Sequence, residues 1–429
     1  MKTVDVTREV SPSLAIAFQE FSNRWLQKAV SSPFMQRLLR IRQHSSYKKE
    51  PKTVSRFDHS LGAAAMAFEL LEHLKSRSAL GVSEEERDKL VFLALCHDLG
   101  HGPFSHIFEA TVVPAFKGSH FEHEDYSVKF AVELASEVGL KFEGETLIRD
   151  VIADGGEETP NELFKIISNK QFGLDVDRLD YLRRDAEFYG IKFPFSLEEC
   201  FNAFCFRPSA EGPKMFLRRE SLDFLNRFLR YRYMMFEERY YCFEDARVSV
   251  LLGNILVENG PDLNILGRIA DPSLYLDLDD RVLEEAAKTS QGPPPKPNSL
   301  RWLNWLESGE FYPLVALLRK SAKAGSAKRD ISLLLLSEPG LSQDDFLLHD
   351  TCVSSLKDVN PNFLVYDEKT ESIAKVSEIE GFELFDAVSF KMYVFAVNEE
   401  KRDLIADTLR ASKEGLERTY GFSLSFGSF

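Results

Sequence analysis

The chain is organised around residues 95–106, which read Leu95-Cys96-His97-Asp98-Leu99-Gly100-His101-Gly102-Pro103-Phe104-Ser105-His106. Three histidines and an aspartate fall within ten positions, and an apolar run leads directly into them. This pattern indicates a buried helix that ends at a polar cluster lining a cavity. Imidazole nitrogen and carboxylate oxygen together suit a divalent metal such as zinc, iron or manganese. The stretch therefore predicts a metal site.

Two further stretches are rich in the same residue types. The first is Ser55-Arg56-Phe57-Asp58-His59-Ser60-Leu61-Gly62, and the second is Asp175-Val176-Asp177-Arg178-Leu179-Asp180-Tyr181-Leu182-Arg183-Arg184-Asp185. Taken alone, His59 could be a capping or surface imidazole, and the second stretch could be a solvated helix with i,i+4 charge pairs. Taken together with residues 95–106, they give the order His…His-Asp…Asp.

This order resembles the HD-domain metal-dependent phosphohydrolases. The run from His97 to His106 is similar to the deoxynucleoside triphosphate triphosphohydrolase branch, which contains the SAM-and-HD-domain protein and its bacterial relatives. The resemblance implies a mainly α fold with an HD-domain helical core. The sequence that follows this core predicts a smaller C-terminal α+β region.

The resemblance also implies roles for two sets of residues. It assigns the metal to His59, His97, Asp98 and Asp177. It places at the scissile phosphate His101, His106, Glu109 and His123. Free imidazoles suit proton transfer there because their pKa lies near neutrality. Glu109 departs from the family pattern, in which this position carries aspartate.

Substrate contacts are implied in the same way for Gln43, His44, Arg56, Arg178, Tyr181, Asp185, Arg232 and Tyr240. The resemblance places Tyr181 under C2′ of the sugar, where its ring would exclude a ribonucleotide. It places Gln43 and Asp185 at the 3′-hydroxyl. Alternatively, the helix before Gln43 could present a basic face to solvent. Residues 236–238 also depart from the family pattern, because the SAM-and-HD-domain protein has a histidine and two arginines at the matching positions.

The expected activity is metal-dependent hydrolysis of deoxynucleoside 5′-triphosphates to deoxynucleoside and tripolyphosphate, with magnesium on the triphosphate. Two alternatives stay open. One is an HD phosphohydrolase that acts on nucleoside monophosphates or cyclic nucleotides. The other is a nucleotide-binding or nucleic-acid-binding module built on the same fold.

Composition bounds the partners. The net charge of −15 over 429 residues argues against nucleic acid and anionic membranes. Five cysteines without a CxxC pair predict neither a disulfide framework nor a zinc ribbon. No apolar run is long enough to span a membrane, so we expect a cytoplasmic protein, or a nuclear one if the source is eukaryotic. The resemblance implies a homo-oligomer, a dimer or tetramer.

The predicted organisation has four parts. They are an N-terminal helical arm (1–45), the HD core (46–287), a Pro-rich linker or loop (288–300) and the C-terminal α+β region (301–429). Within them we predict a capping box at Ser83, one long amphipathic helix over 221–257, and strands near 363–366, 373–376 and 392–397. For the C-terminal region we expect packing or oligomer contact rather than a separate activity.

Overall fold

The computed structural model describes residues 25–44, 54–77, 80–117, 119–154, 161–209, 212–322 and 326–426. The described chain forms two compact units. The first contains residues 25–228, 256–289 and 358–384, and the second contains residues 229–255, 290–357 and 385–426. The mainly α fold with a smaller α+β region is confirmed. Residues 1–24 of the predicted N-terminal arm lie outside the described residues, and the four-part division stays a prediction.

The described α-helices, in chain order, are α1 (Leu26–Val30), α2 (Pro33–Leu38), α3 (Arg56–Arg77), α4 (Glu84–Cys96), α5 (His123–Val138), α6 (Thr146–Ile152), α7 (Val176–Phe188), α8 (Leu197–Asn202), α9 (Leu222–Met235), α10 (Phe243–Asn259), α11 (Ile265–Ala270), α12 (Pro272–Tyr275), α13 (Val282–Gln291), α14 (Pro297–Ser308), α15 (Ala327–Leu336), α16 (Arg402–Ala411) and α17 (Lys413–Tyr420). None of them combines the length and the apolar character needed to cross a bilayer.

Helices α3 and α4 form the centre of the first unit. A run of buried alanines, residues 63–65, lets α3 approach α4 and α7 closely. The capping box at the start of α4 is confirmed, because Ser83 and Glu86 exchange side-chain to backbone hydrogen bonds. Residues 90–96 of α4 are buried on every side, so the helix delivers the polar cluster into the interior.

The first unit also contains a four-stranded sheet of β1 (Phe204–Arg207), β2 (Lys214–Arg218), β5 (Leu364–Asp367) and β6 (Ser372–Lys375). The pairs β1–β2 and β5–β6 are antiparallel, and β2 runs parallel to β5 with Leu217 opposite Val365. The predicted strands near 363–366 and 373–376 are therefore present. The structure places them in the first unit, whereas the sequence pattern grouped them with the C-terminal region.

The second unit is built on an antiparallel sheet of β3 (Leu314–Lys320), β4 (Phe346–Ser354), β7 (Val388–Ala396) and β8 (Ser423–Phe426), in the order β4-β7-β3-β8. Helices α15, α16 and α17 cover one face of the sheet. Their buried residues Ile331, Ile405 and Leu409 share one apolar core with Leu318 and Met392 of the strands.

The predicted single helix over 221–257 is wrong, because the structure breaks it. Helix α9 gives way to a π-helical turn, Phe236–Tyr240, before α10 begins at Phe243. Such a turn leaves backbone carbonyls without helical partners. Lys391 supplies the missing donors, since its Nζ lies 2.5 Å from the carbonyl oxygen of Glu237 and 3.4 Å from that of Tyr241.

Candidate active site

The motif loop after α4 is packed against the start of α5. Helix α4 ends at Cys96, and His97 is its C-cap, so the helix ends at the polar cluster as expected. A Cβ at Gly100 would overlap the backbone of His123 and Ser127. The Gly100 amide donates to Ser127 Oγ at 2.9 Å. This close approach brings the loop histidines against the first turn of α5.

Four predicted metal ligands converge, and we call them the metal-ligand cluster: His59, His97, Asp98 and Asp177. His59 Nε2 lies 3.2 Å from His97 Nε2, 3.1 Å from Asp177 Oδ1 and 3.4 Å from Asp98 Oδ2. His97 Nε2 lies 3.5 Å from a carboxylate oxygen of each aspartate. Ligands on bonds of about 2.1 Å are about 3.0 Å apart at right angles and about 3.4 Å apart at the tetrahedral angle. The spacing therefore fits a single divalent ion.

The hydrogen bonds behind the two imidazoles support the same conclusion. His97 Nδ1 lies 2.8 Å from the carbonyl oxygen of Ala94, which can only accept, so Nδ1 carries the proton. His59 Nδ1 lies 2.8 Å from the Asp180 carboxylate. In the neutral rings both Nε2 lone pairs then face each other, which is unfavourable unless a cation lies between them. These groups can hold a divalent metal.

The charge of the cluster points the same way. Burial lowers the pKa of His59, but hydrogen bonds to Asp177 and Asp180 and the charge of Asp98 outweigh it and raise that pKa to about 10. Burial raises the pKa of Asp177, yet the hydrogen bonds from His59 and His97 bring it below its usual range. The carboxylates thus hold positive charge strongly, as a metal site with two anionic ligands must.

A ring of partners fixes the ligands, and sequence reasoning missed its central member, Asp180. Its carboxylate holds His59 and is itself paired with Arg184 at 2.8 Å. A Cβ at Gly62 would overlap both Asp180 and Arg184, so this glycine gives the carboxylate its space. Asp180 lies three positions after Asp177 on α7, and that i,i+3 spacing was a signal available in the sequence.

Arg56 is the corresponding partner of Asp98. Its Nη1 donates to Asp98 Oδ2 at 2.6 Å and its Nε donates to Ser105 Oγ at 2.9 Å. The side chain is 5% exposed. Arg56 was predicted to contact substrate phosphates, and in the structure its guanidinium orients a predicted metal ligand.

The predicted catalytic residues also come together, and we call them the histidine relay: His101, His106, Glu109 and His123. The rings of His101 and His123 stack with centroids 3.9 Å apart at 20°. The ring of His106 lies 5.1 Å from His101 and 5.7 Å from His123. Glu109 Oε2 is 2.9 Å from His123 Nδ1 and 3.8 Å from His106 Nδ1. His106 is the exposed member at 69%, whereas His101 is 1% exposed.

The two stacked imidazoles differ in proton affinity. Burial, Arg56 and His123 hold the pKa of His101 well below its usual value, although its Nε2 lies 3.3 Å from Asp98. Burial also lowers the pKa of His123, but the hydrogen bond to Glu109 and the charges of Glu124 and Glu109 raise it overall. His123 therefore keeps its proton to a higher pH than His101 does.

The stacking argues against a second ion at this point. Asp98, His101 and His123 lie close enough to be metal ligands by distance. However, an imidazole coordinates through a lone pair in its ring plane, and two nearly parallel rings cannot both direct such a lone pair at one point. The arrangement suits proton transfer between neighbouring groups.

The sugar-binding predictions are partly brought together. His44 Nε2 lies 2.8 Å from Asp185 Oδ1, and its ring stacks on Phe188. The ring of Tyr181 lies 6.4 Å from that of His59, so it is next to the metal-ligand cluster. Gln43 Oε1 is shielded from solvent and has no hydrogen-bond partner among the described residues. Their contact with a sugar stays a prediction.

The residues predicted to bind phosphate already have partners within the protein. Arg178 is 8% exposed, forms a close ion pair with Asp175, and places Nη2 at 3.2 Å from Asp358. Arg232 and Tyr240 belong to the second unit, where Arg232 donates to the carbonyl oxygen of Lys357 at 3.0 Å. The alternative of a basic solvated face before Gln43 does not hold at Arg37, which is 1% exposed.

Comparisons with known proteins match the region that builds this site. Residues 56–184 match the family model of the HD domain. The chain is 28% identical over 246 residues to the deoxynucleoside triphosphate triphosphohydrolase SAMHD1 homolog of Dictyostelium discoideum, a match that covers 56% of this chain and 46% of that protein. It is 33% identical over 198 residues to SAMHD1 of Gallus gallus, covering 40% and 32%.

A bacterial relative is matched as well. The chain is 28% identical over 214 residues to the uncharacterized protein YwfO of Bacillus subtilis (strain 168), with 47% of this chain and 44% of that protein covered. The matched region spans between a third and a half of the length of these curated relatives.

Proposed function

The chain belongs to the HD-domain family of deoxynucleoside triphosphate triphosphohydrolases, and on that premise we propose that it hydrolyses deoxynucleoside 5′-triphosphates to deoxynucleoside and tripolyphosphate. The observation that carries the proposal is the junction at Asp98. This carboxylate belongs to the metal-ligand cluster and also lies 3.3 Å from His101 of the histidine relay. A group that would bind metal therefore adjoins groups that would move protons, and hydrolysis of a phosphate ester requires both.

The metal-ligand cluster would hold zinc, iron or manganese. Such an ion lowers the pKa of a water and polarises a phosphoryl oxygen. His59 and His97, each through Nε2 once the metal has displaced its proton, and the Asp98 and Asp177 carboxylates would present the donors, and Asp180 and Arg56 keep two of them in place. Magnesium would accompany the triphosphate chain.

The histidine relay would supply the proton for the leaving 5′-oxygen. His106 is the solvent-exposed member, and it would donate this proton. The hydrogen bond to Glu109 raises the pKa of His123, and Glu109 also lies near His106. Glu109 and His123 would therefore restore the proton on His106 after each turnover.

Selectivity for deoxynucleotides would come from Tyr181 and the His44–Asp185 pair. An aromatic ring against C2′ leaves no room for a hydroxyl, and a carboxylate can accept a hydrogen bond from the 3′-hydroxyl. We expect Tyr181→Ala to reduce discrimination against ribonucleotides by roughly tenfold, because removal of one steric contact has about this effect. Competition between a deoxynucleoside and a ribonucleoside triphosphate measures it, and unchanged selectivity would remove Tyr181 from this role.

Phosphate contacts of Arg56 and Arg178 complete the proposal. For Arg178, the phosphates would replace Asp358 at Nη2. The Arg178–Asp358 ion pair also favours a second candidate, an HD phosphohydrolase acting on nucleoside monophosphates. A monophosphate has no β- and γ-phosphates, so Arg178 could stay paired with Asp358 while the substrate binds. Homo-oligomer formation and a cytoplasmic location are also part of the proposal.

Product analysis separates the candidates. The purified protein is incubated with the four deoxynucleoside triphosphates, separately and mixed, in magnesium with added manganese, and the products are resolved by chromatography. Deoxynucleoside with tripolyphosphate supports cleavage at the α-phosphate. Orthophosphate released only from monophosphates supports the second candidate. Nucleic-acid retention on a filter at moderate salt, without hydrolysis, would instead support a binding module.

A further inference from the structure

The short segment between α12 and α13 contacts two parts of the first unit that are distant in sequence. Asp280 Oδ1 accepts a hydrogen bond from the Phe104 amide at 2.7 Å, and Asp280 Oδ2 accepts one from the Arg42 amide at 3.0 Å. Both bonds involve backbone donors, and the Arg42 guanidinium adds a longer ion pair, with Nε 3.9 Å from Oδ2. The carboxylate therefore holds the course of the chain through its two short bonds.

The first of these contacts supports an unfavourable backbone. Phe104 and Ser105 have φ angles of 55° and 53°, in the left-handed region that residues other than glycine rarely adopt. His106 of the histidine relay follows directly. A hydrogen bond to the Phe104 amide therefore fixes the turn that aims His106.

The second contact precedes a predicted substrate residue. Arg42 is followed by Gln43, whose amide donates to the carbonyl oxygen of Val54 at 2.9 Å. Ser105 ties the two segments to each other, because its hydroxyl donates to the carbonyl oxygen of Arg42 at 2.7 Å. The loop that carries His106 and the segment that carries Gln43 therefore form one assembly with Asp280.

Neighbouring bonds hold the Asp280 segment in place. The buried Arg37 guanidinium donates to the carbonyl oxygens of Leu278 and His101, both at 2.7 Å. Asp279 pairs with Arg40 at 2.6 Å. The segment thus has a fixed position relative to the motif loop, and Asp280 can transmit that position.

We propose that Asp280 is a positioning residue that sets His106 and Gln43 relative to each other by accepting these two backbone hydrogen bonds. The proposal rests on the proposed function in one respect, that His106 protonates the leaving oxygen of a nucleotide. A carboxylate is required because both of its oxygens accept, whereas an amide offers one acceptor and turns a donor toward the second N–H.

The test is Asp280→Asn, with Asp277→Asn as the matched control. Asp277 is exposed and lies three residues earlier, so its variant loses the same charge without these bonds. Each protein is assayed on a deoxynucleoside triphosphate and on bis(p-nitrophenyl) phosphate. The aryl ester has a leaving group that departs without protonation and has no sugar, so it uses neither His106 as an acid nor Gln43.

We expect Asp280→Asn to lower kcat on the nucleotide by about 10- to 100-fold, as a small misplacement of a reacting group does. Turnover of the aryl ester and the bound metal should stay within about threefold of the wild type, because the metal-ligand cluster is unchanged. An equal loss on both substrates, or no loss on either, would overturn the role of Asp280. If Asp280→Asn fails to fold, Asp280→Ser is assayed in the same way.

Hydrogen exchange gives a second reading that needs no activity. At least one of the amides of Phe104 and Arg42, the one that faces the NH2 group of the asparagine, should exchange at least about tenfold faster in Asp280→Asn and not in Asp277→Asn. Unchanged exchange would overturn the proposal even if turnover fell. A wild type that cleaves the aryl ester but no nucleotide would contradict the proposed function, and the exchange rates would then decide alone whether Asp280 holds the two segments.

Discussion

The metal-ligand cluster and the histidine relay meet at Asp98 but are supported differently. In the cluster, His59 donates to the Asp180 carboxylate and His97 donates to the Ala94 carbonyl oxygen, both at 2.8 Å, and Asp98 accepts from Arg56 at 2.6 Å. In the relay, His106 is largely exposed and its nearest carboxylate, Glu109, lies 3.8 Å away. One half of the site is fixed in geometry, and the other can rearrange its protons and partners.

This difference has a physical reason. A metal ion tolerates small errors in ligand position poorly, so its ligands need rigid partners. A proton donor must lose and regain a proton in each cycle, and it therefore needs access and neighbours whose pKa values differ. His101, whose pKa is lowered, and His123, whose pKa is raised, provide that difference.

The largest effect is expected when the metal-ligand cluster is removed. Replacing His97 and Asp98 together by alanine should abolish metal binding and lower hydrolysis by at least roughly 10³-fold, since the metal contributes several kcal/mol to the transition state. Metal content is measured by elemental analysis and turnover by chromatography. Retained hydrolysis in metal-free protein would place the chemistry elsewhere.

Removing the proton donor of the histidine relay should lower the rate without loss of metal. We expect His106→Gln to lower kcat by about 10²-fold, as loss of a general acid does, while the bound metal stays at the wild-type level. His120→Gln is the matched control, because His120 is exposed and pairs only with the surface residue Glu122 in the described structure. Loss of metal in His106→Gln would show that the two halves are not separable.

The same contrast explains what could be read from the sequence. The fold class and the start of α4 follow from local signals, a capping box and an apolar run, which act within one helix. The break at Phe236–Tyr240 was missed because its carbonyls are satisfied by Lys391, more than 150 residues away. The parallel pairing of β2 with β5 was missed for a similar reason, since no local pattern specifies a distant partner.

Within the site, residues that carry chemistry were easier to predict than residues that position them. The histidines and aspartates of the motif stretches stand out by type and spacing. Asp280 does not, and Asp180 offers only its i,i+3 spacing to Asp177, because their importance comes from contacts with Phe104 and His59 across 176 and 121 positions. Their roles become visible only when the chain is folded.

A smaller effect is expected from loosening the fixed half without removing it. Asp180→Asn keeps an acceptor for His59 but loses the charge that orients its proton. We expect metal affinity to fall by about 10- to 100-fold, the range for partners behind a ligand, with activity recovered at high metal concentration. Competition with a chelator measures this, Glu187→Gln on the exposed face of α7 is the control, and Gly62→Ala should act in the same direction. Unchanged affinity would mean that His59 is held without Asp180.

The smallest effect is expected from a change in the pKa of His123 in the histidine relay. Glu109 raises the pKa of His123, so His123 stays protonated to a higher pH than an ordinary histidine. If turnover requires that proton, activity falls as the pH rises through this raised pKa. Glu109→Gln removes the charge and lowers the pKa of His123, so the alkaline limb of the kcat profile should move to lower pH. We expect a loss of about three- to tenfold near pH 8 and little change near pH 6, since one pKa unit is a tenfold change in protonation.

Glu133→Gln, on the exposed part of α5, is the control for charge alone. A parallel titration of the His123 ring by NMR separates two explanations of the profile. If the pKa of His123 falls and the alkaline limb stays in place, His123 is not the proton source, and His106 must be recharged from solvent through its exposed face. Proton transfer in the histidine relay would then need only His106 in contact with water, and the stacked pair of His101 and His123 would not take part in it.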